Sequence, residues 1–343
     1  MKSPFIIPVF IPNMGCPHQC IFCDQSVITN TESNRITPKK IEETVDNWLL
    51  YRKDNNVETQ LSFYGGNFLG LAENLLLSLL NKAEGLVSAK KIDSIRFSTR
   101  PDTVTPEILK FLKKYSVKTI EIGAQSMDDE VLKHSGRGHN AADSIEAGSL
   151  IKNNNFELGL QMMTGLPKDT KEKSLHTAKK IAELKPDFVR IYPCIVLKGS
   201  PLETLLKKGL YKPQTLQESV DVVKPAYLMF KEKNIRVIRM GLQASEELKP
   251  DSKMAAGPYH PAYGHLVLSA VYFDIASDII KEKRFNNKEI NIVINPRDIS
   301  IVLGIKKENI IKLKNRFDLK GISIIQDNSI DRWKPVVRER GEE

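Results

Sequence analysis

The chain has 343 residues, 41% of them apolar, and a formal net charge of +9. That length accommodates a barrel-sized domain with a smaller one beside it, and no apolar run reaches the roughly 18 residues that a membrane-spanning helix needs. The moderate basic excess suits a polyanionic partner such as RNA, but many proteins of this charge never touch nucleic acid. The first residues lack the basic region, apolar core and small-residue cleavage site of a secretory signal, so a cytoplasmic location is expected.

The first element is an apolar run at 5–11, read as a strand, which empties into the loop Pro12-Asn13-Met14-Gly15. Then comes Cys16-Pro17-His18-Gln19-Cys20-Ile21-Phe22-Cys23, holding three of the chain's 4 cysteines. Thiolates bind iron–sulfur clusters, which usually take four Cys ligands. Three clustered thiolates leave one iron open to a substrate or cofactor. Two other readings compete. Zinc could take the three cysteines and His18, although structural zinc sites usually pair two short motifs from separate segments. A disulfide with one thiol left over is less expected in a cytosolic chain.

Thr37 and Pro38 suit the cap and first turn of a helix whose buried face would carry Ile41, Val45, Trp48 and Leu49. A short strand at 60–64 ends in Gly65-Gly66-Asn67-Phe68, where paired glycines allow a close backbone approach to a ligand. Helix 75–80 and strand 94–98 follow, the latter ending in Thr99-Arg100-Pro101-Asp102. After helix 106–115, strand 118–123 ends in Ala124-Gln125-Ser126. Strand 158–163 ends in Gly165, and strand 188–192 in Pro193-Cys194. This alternation predicts parallel β/α units, about six of them, fewer than in an eight-fold barrel. Residues 237–239 offer an extra strand. In such folds function gathers at the C-terminal strand ends, where the cysteines, Gly65, Gly66, Asn67, Arg100, Gln125, Gly165 and Tyr192 all fall. Cys194 reads as a packed small hydrophobe, His139 as a satisfied polar residue, and Lys198 as a solvated lysine at a substrate-facing strand end.

Residues 255–265 form a loop rich in turn formers and aromatics, read as a lid or an inter-domain connector, before a helix at 266–281. The stretch 289–327 reads strand, helix, helix, strand. Lys306, Lys307, Lys312, Lys314 and Arg316 would make a basic surface there, or a solvated helix face. Residues 334–343 read as a frayed tail. The expected division is therefore 1–240, a connector at 241–285, a small α/β module at 286–333 and the tail.

The CxxxCxxC spacing with Phe22 before the last cysteine resembles the signature of radical S-adenosyl-L-methionine (SAM) enzymes. The resemblance sharpens in the stretches around Arg100, Gln125, Arg137, Gly165 and Tyr192, which look like the radical SAM domain of the Elongator catalytic subunit. It implies a partial (β/α)6 TIM-like radical SAM barrel with a small C-terminal α/β module. It also implies a [4Fe-4S] cluster on Cys16, Cys20 and Cys23, with SAM chelating the fourth iron and cleaved to methionine and a 5'-deoxyadenosyl radical. Phe22 would offer a backbone contact to adenine. Gly65, Gly66 and Asn67 stand where the family has a GGE-type motif for SAM's amino end, with Asn67 in place of the acidic residue. Arg100 and Gln125 would meet carboxylate and ribose, with Ser98 and Met162 lining the site. The implied partners are tRNA or another RNA and an electron donor such as ferredoxin or flavodoxin. About 100 residues follow Arg239, too few for the acetyltransferase domain of the Elongator subunit. Gly304-Ile305-Lys306-Lys307 between two helices faintly resembles the GXXG loop of a KH-type RNA-binding fold. The rival expectations are small-molecule radical chemistry, as in oxygen-independent coproporphyrinogen oxidase, and an RNA-binding protein with a structural cluster.

Overall fold

The computed structural model describes residues 3–11, 13–24, 36–54, 56–243 and 253–341. Pro12 of the first loop, part of the expected connector (244–252) and the last two residues of the expected tail lie outside the described residues. Contacts divide the chain into two units between Tyr259 and His260.

The first unit is built on a curled sheet of seven parallel strands. In spatial order these are β1 (Phe5–Phe10), β2 (Thr59–Tyr64), β3 (Ser94–Thr99), β4 (Val117–Gln125), β5 (Glu157–Thr164), β6 (Phe188–Pro193) and β8 (Arg236–Met240). The short β7 (Val196–Leu197) pairs antiparallel with β9 (Met254–Ala256) in a separate ribbon. Each parallel step needs a crossover, and helices such as Glu73–Ser88 and Ala141–Asn153 supply them. The stretch around Val237 is therefore a seventh strand of the half-barrel, paired with β6.

Alternation along the strands sorts the side chains. Leu61, Phe63, Ile95, Phe97, Ile120, Ile122, Leu160 and Ile191 are fully buried on the convex face, and Phe68 stacks between Phe63 and Phe97 at 4.7 Å from each ring centroid. The concave face is polar: Gln60, Arg96, Glu121, Gln161 and Arg190 lie in successive strands. Thr37 caps the helix Pro38–Leu49 as expected, accepting from the Lys40 amide at 3.2 Å, and Ile41 and Val45 are buried. Trp48 is not: it is 39% exposed at the cavity wall, edge-on to Phe5.

In the second unit β10 (Glu289–Ile294) runs between a parallel β11 (Gly321–Gln326) and an antiparallel β12 (Val336–Glu339). The strand–helix–helix–strand order at 289–327 is present. Two expectations are corrected. The helix Tyr263–Glu282 is not part of a lid or connector, because Tyr272, Ala276 and Ile280 pack into one core with Ile292, Ile294 and Leu313. The expected tail contains β12, which pairs the second edge of β10 and buries Val337 completely.

Candidate active site at the strand ends

The cysteine loop leaves β1 alongside the end of β2. The Ile11 amide donates to Tyr64 O at 2.7 Å, Asn13 to Gly65 O at 2.8 Å, and Asn67 to Met14 O at 2.9 Å. This contact explains the glycine pair: a Cβ at Gly66 would stand 2.5 Å from Ile11 O and 2.6 Å from Met14 O. Only a residue without a side chain admits the loop.

A cavity of about 1160 Å³ opens here, walled by Cys16, Cys20 and Cys23. Of the other residues singled out in the sequence, Phe22, Gly65, Gly66, Ser98, Arg100 and Gln125 also face it. Two do not. Met162 is fully buried on the convex face of β5, and its neighbours Gln161 and Met163 line the cavity instead; placing it inside was an error of strand parity. Asn67 is also fully buried, and its amide is consumed by the scaffold. Its Nδ2 donates to Gly15 O at 2.8 Å, while its Oδ1 accepts from Thr99 Oγ1 at 2.7 Å, Arg100 N at 3.0 Å and Thr103 Oγ1 at 3.0 Å. Asn67 therefore ties loops together rather than presenting a side chain to a ligand.

The three thiols are free, as is the buried Cys194, which packs among Val131, Leu166 and Val196. Burial, followed by the charges of Cys20 and Cys16, pushes the Cys23 thiol up to about 12. Crowded thiolates of this kind need a cationic group to take up their charge, and metal binding does so by displacing their protons. Among the described residues no three His, Cys, Asp or Glu side chains converge as they would around one ion.

The cavity wall also carries buried polar atoms without a hydrogen-bond partner: Arg100 Nη1, Gln125 Oε1 and Arg137 Nε. Such atoms are uncommon in a folded interior and mark where a ligand completes the structure. Arg100 is otherwise fixed, with Nε and Nη2 each donating to an Asp102 carboxylate oxygen at 2.9 Å. A cationic donor and an amide acceptor beside a three-thiol loop match the carboxylate and hydroxyl groups of SAM, so the donor set fits both cofactors.

Sequence reasoning assigned no role to Arg137, Gln161, Met163 or Arg190, which all line the cavity. For Arg137 a signal was present: it is bracketed by Gly136 and Gly138, both at positive φ. Beneath the mouth, Glu121 is fully buried between Arg96 Nε at 2.6 Å and Arg190 Nε at 2.9 Å, with Gln161 Nε2 at 2.9 Å. Burial raises this carboxyl, but Arg190 and Arg96 outweigh it and hold it below its ordinary value.

Residues 10–181 match the model of the radical SAM superfamily, and residues 186–272 that of the Radical_SAM C-terminal domain. A tRNA uridine(34) acetyltransferase of Methanocaldococcus jannaschii is 31% identical over 152 residues, 41% of this chain and 28% of that protein. An uncharacterized protein of the same organism is 30% identical over 227 residues, 63% of this chain and 68% of the other. Elongator complex protein 3 of Saccharomyces cerevisiae is 31% identical over 177 residues, 50% and 30% of the two chains. The structure of Methanocaldococcus infernus Elp3 with an N-terminal deletion shares the fold, with a TM-score of 0.59 and 20% identity over 84% of this chain and 66% of that one. The match thus spans under a third of the length of that acetyltransferase and of that Elongator protein. Among the described residues no helix is long and apolar enough to cross a membrane.

Proposed function

The chain belongs to the radical SAM superfamily, enzymes whose cofactors are a [4Fe-4S] cluster and SAM, and on that premise we propose that it holds the cluster on Cys16, Cys20 and Cys23 and cleaves SAM to modify tRNA or another RNA. A cluster held by these three thiolates would, once reduced by an external electron donor, supply the electron for reductive cleavage of SAM. The observation that carries the reading is that three thiols and the unpartnered Arg100 Nη1 and Gln125 Oε1 wall one cavity. Arg100, held rigid by Asp102, orients the SAM carboxylate through its remaining donor. Gln125 accepts from the ribose; its φ of +65° at the end of β4 marks the bend that ends the strand there. The Gly65-Gly66 backbone and Phe22 shape the remaining wall.

The RNA part is supported by the names of the relatives, by the +9 charge and by the second unit. There Gly304, Lys306 and Lys307 all take positive φ in a tight turn between two helices, and both lysines are exposed. A turn of that kind presents amides and cations to a phosphate backbone.

Anaerobic reconstitution followed by dithionite and SAM tests the chemistry. 5'-Deoxyadenosine is expected, and its absence from a sample with full iron and sulfide would overturn the catalytic reading. A comparison of modified nucleosides in tRNA from cells with and without the protein tests the target. Unchanged nucleosides with 5'-deoxyadenosine still formed would redirect the search to small molecules. Reversing Lys306 and Lys307 to Glu should weaken tRNA binding and flatten its salt dependence by about one unit of slope per lost phosphate contact.

A further inference from the structure

The segment after the helix Asp129–His134 grips the cysteine loop at several points. The Ile21 amide donates to Ser135 O at 3.2 Å. A Cβ on Gly136 would stand 3.3 Å from Gln19 O, and one on Gly138 would fall on the His18 ring. Between these glycines Arg137 is 7% exposed. Its Nη1 donates to Cys20 Sγ at 3.1 Å and its Nη2 to Gly123 O at 2.6 Å, while its own carbonyl accepts from Arg100 Nη2 at 2.5 Å. One residue thus joins a cluster thiol, the strand β4 and the arginine of the cavity wall.

We propose that residues 135–139 form a clamp on the cysteine loop, and that Arg137 is a positioning residue that fixes Cys20 and raises the reduction potential of the cluster. A guanidinium carries its charge at every working pH and hydrogen-bonds thiolate sulfur in a fixed geometry. Hydrogen bonds to the sulfurs and local charge are among the terms that set iron–sulfur potentials. Reduction adds negative charge to the site, and a cation 3.1 Å from one of its sulfurs stabilises the reduced state more than the oxidised one. The glycines serve the same contact: both sit at positive φ, which favours glycine, and they let the segment lie close against Gln19 and the His18 ring.

This inference rests on the cluster reading, and counting iron and sulfide separates the two. Wild-type protein that takes up neither sinks the cluster reading itself. The test compares reconstituted wild type, Arg137→Lys, Arg137→Gln and Gly138→Ala by dye-mediated redox titration followed by electron paramagnetic resonance. At a fixed potential Arg137→Gln should show about a tenfold lower ratio of reduced to oxidised cluster, equivalent to 59 mV for one electron. Arg137→Lys, which keeps the charge and loses the fixed geometry, should fall between. Arg137→Gln with wild-type iron content and an unchanged potential would overturn the proposal. If Arg137→Gln does not fold, Gly138→Ala decides. Reduced iron retention with a displaced loop supports the clamp, and wild-type retention and potential refute it.

Discussion

At the floor of the concave sheet, Glu121 is fully buried and both its oxygens are taken, by Arg96 and Arg190 on one and by Arg190 and Gln161 on the other. Nearer the mouth, Arg100 and Arg137 are anchored by several hydrogen bonds, and Arg100, Gln125, Arg137 and His139 each keep one buried polar atom without a partner. The floor has orphans too: Gln60 Oε1 has no partner, and Arg96 Nη2 and Arg190 Nε lack hydrogen-bond geometry, yet these two stand 2.6 and 2.9 Å from Glu121, so the layers differ in how their charge is met. Charge at the floor is answered by the chain's own side chains, which suits a frame. Charge at the mouth is answered only in part, which suits a site that a ligand finishes.

The largest effect should come from breaking the floor. Glu121→Gln leaves two guanidiniums facing a neutral amide in the interior, and uncompensated buried charge costs about 3–5 kcal/mol. Denaturant unfolding should show that loss, and a change under about 1 kcal/mol would mean that the floor is not the frame. A smaller effect is expected at His139 and depends on pH. Burial, then the charges of Arg137 and Arg100, pull its imidazole from 6.5 down to about 3. Below pH 6.5 the unfolded chain takes up a proton that the folded chain refuses, so stability falls as pH falls and levels off only below about 3. Between pH 8 and pH 5 this amounts to about 2 kcal/mol. His139→Gln should remove that part of the slope, and an unaltered slope would contradict a neutral buried imidazole. The mildest effect on the fold belongs to the mouth. Arg100→Lys should weaken SAM binding to the reconstituted protein about tenfold, or 1.4 kcal/mol, read by equilibrium dialysis. Loss of stability with SAM affinity intact would invert the comparison between the layers.

The strands were legible because each is a short apolar or β-branched run followed by a polar or glycine-rich end, and the cysteine spacing named the mouth. What sequence could not supply was direction. Met162 and Met163 are equivalent as letters and opposite in the sheet, since parity is fixed only by pairing with β4 and β6. Asn67 stands where a ligand contact was expected, but its amide turns back into the scaffold because three neighbouring donors and one carbonyl converge on it. Trp48 fits the helical period of Ile41 and Val45 and still falls at the cavity wall, edge-on to Phe5. The stretch holding β12 was read as a tail because its order comes from pairing with a distant strand, the second edge of β10.

The single amide of Asn67 has one further consequence. It ties the turn before the cysteines to the turn after β3, from its own place just after the glycine pair. Small zinc modules fold around their metal and collapse when it is withdrawn. Here the turn before the cysteines is tied to the scaffold by the chain's own hydrogen bonds, so a metal that bound beside it would meet a loop already anchored at that end.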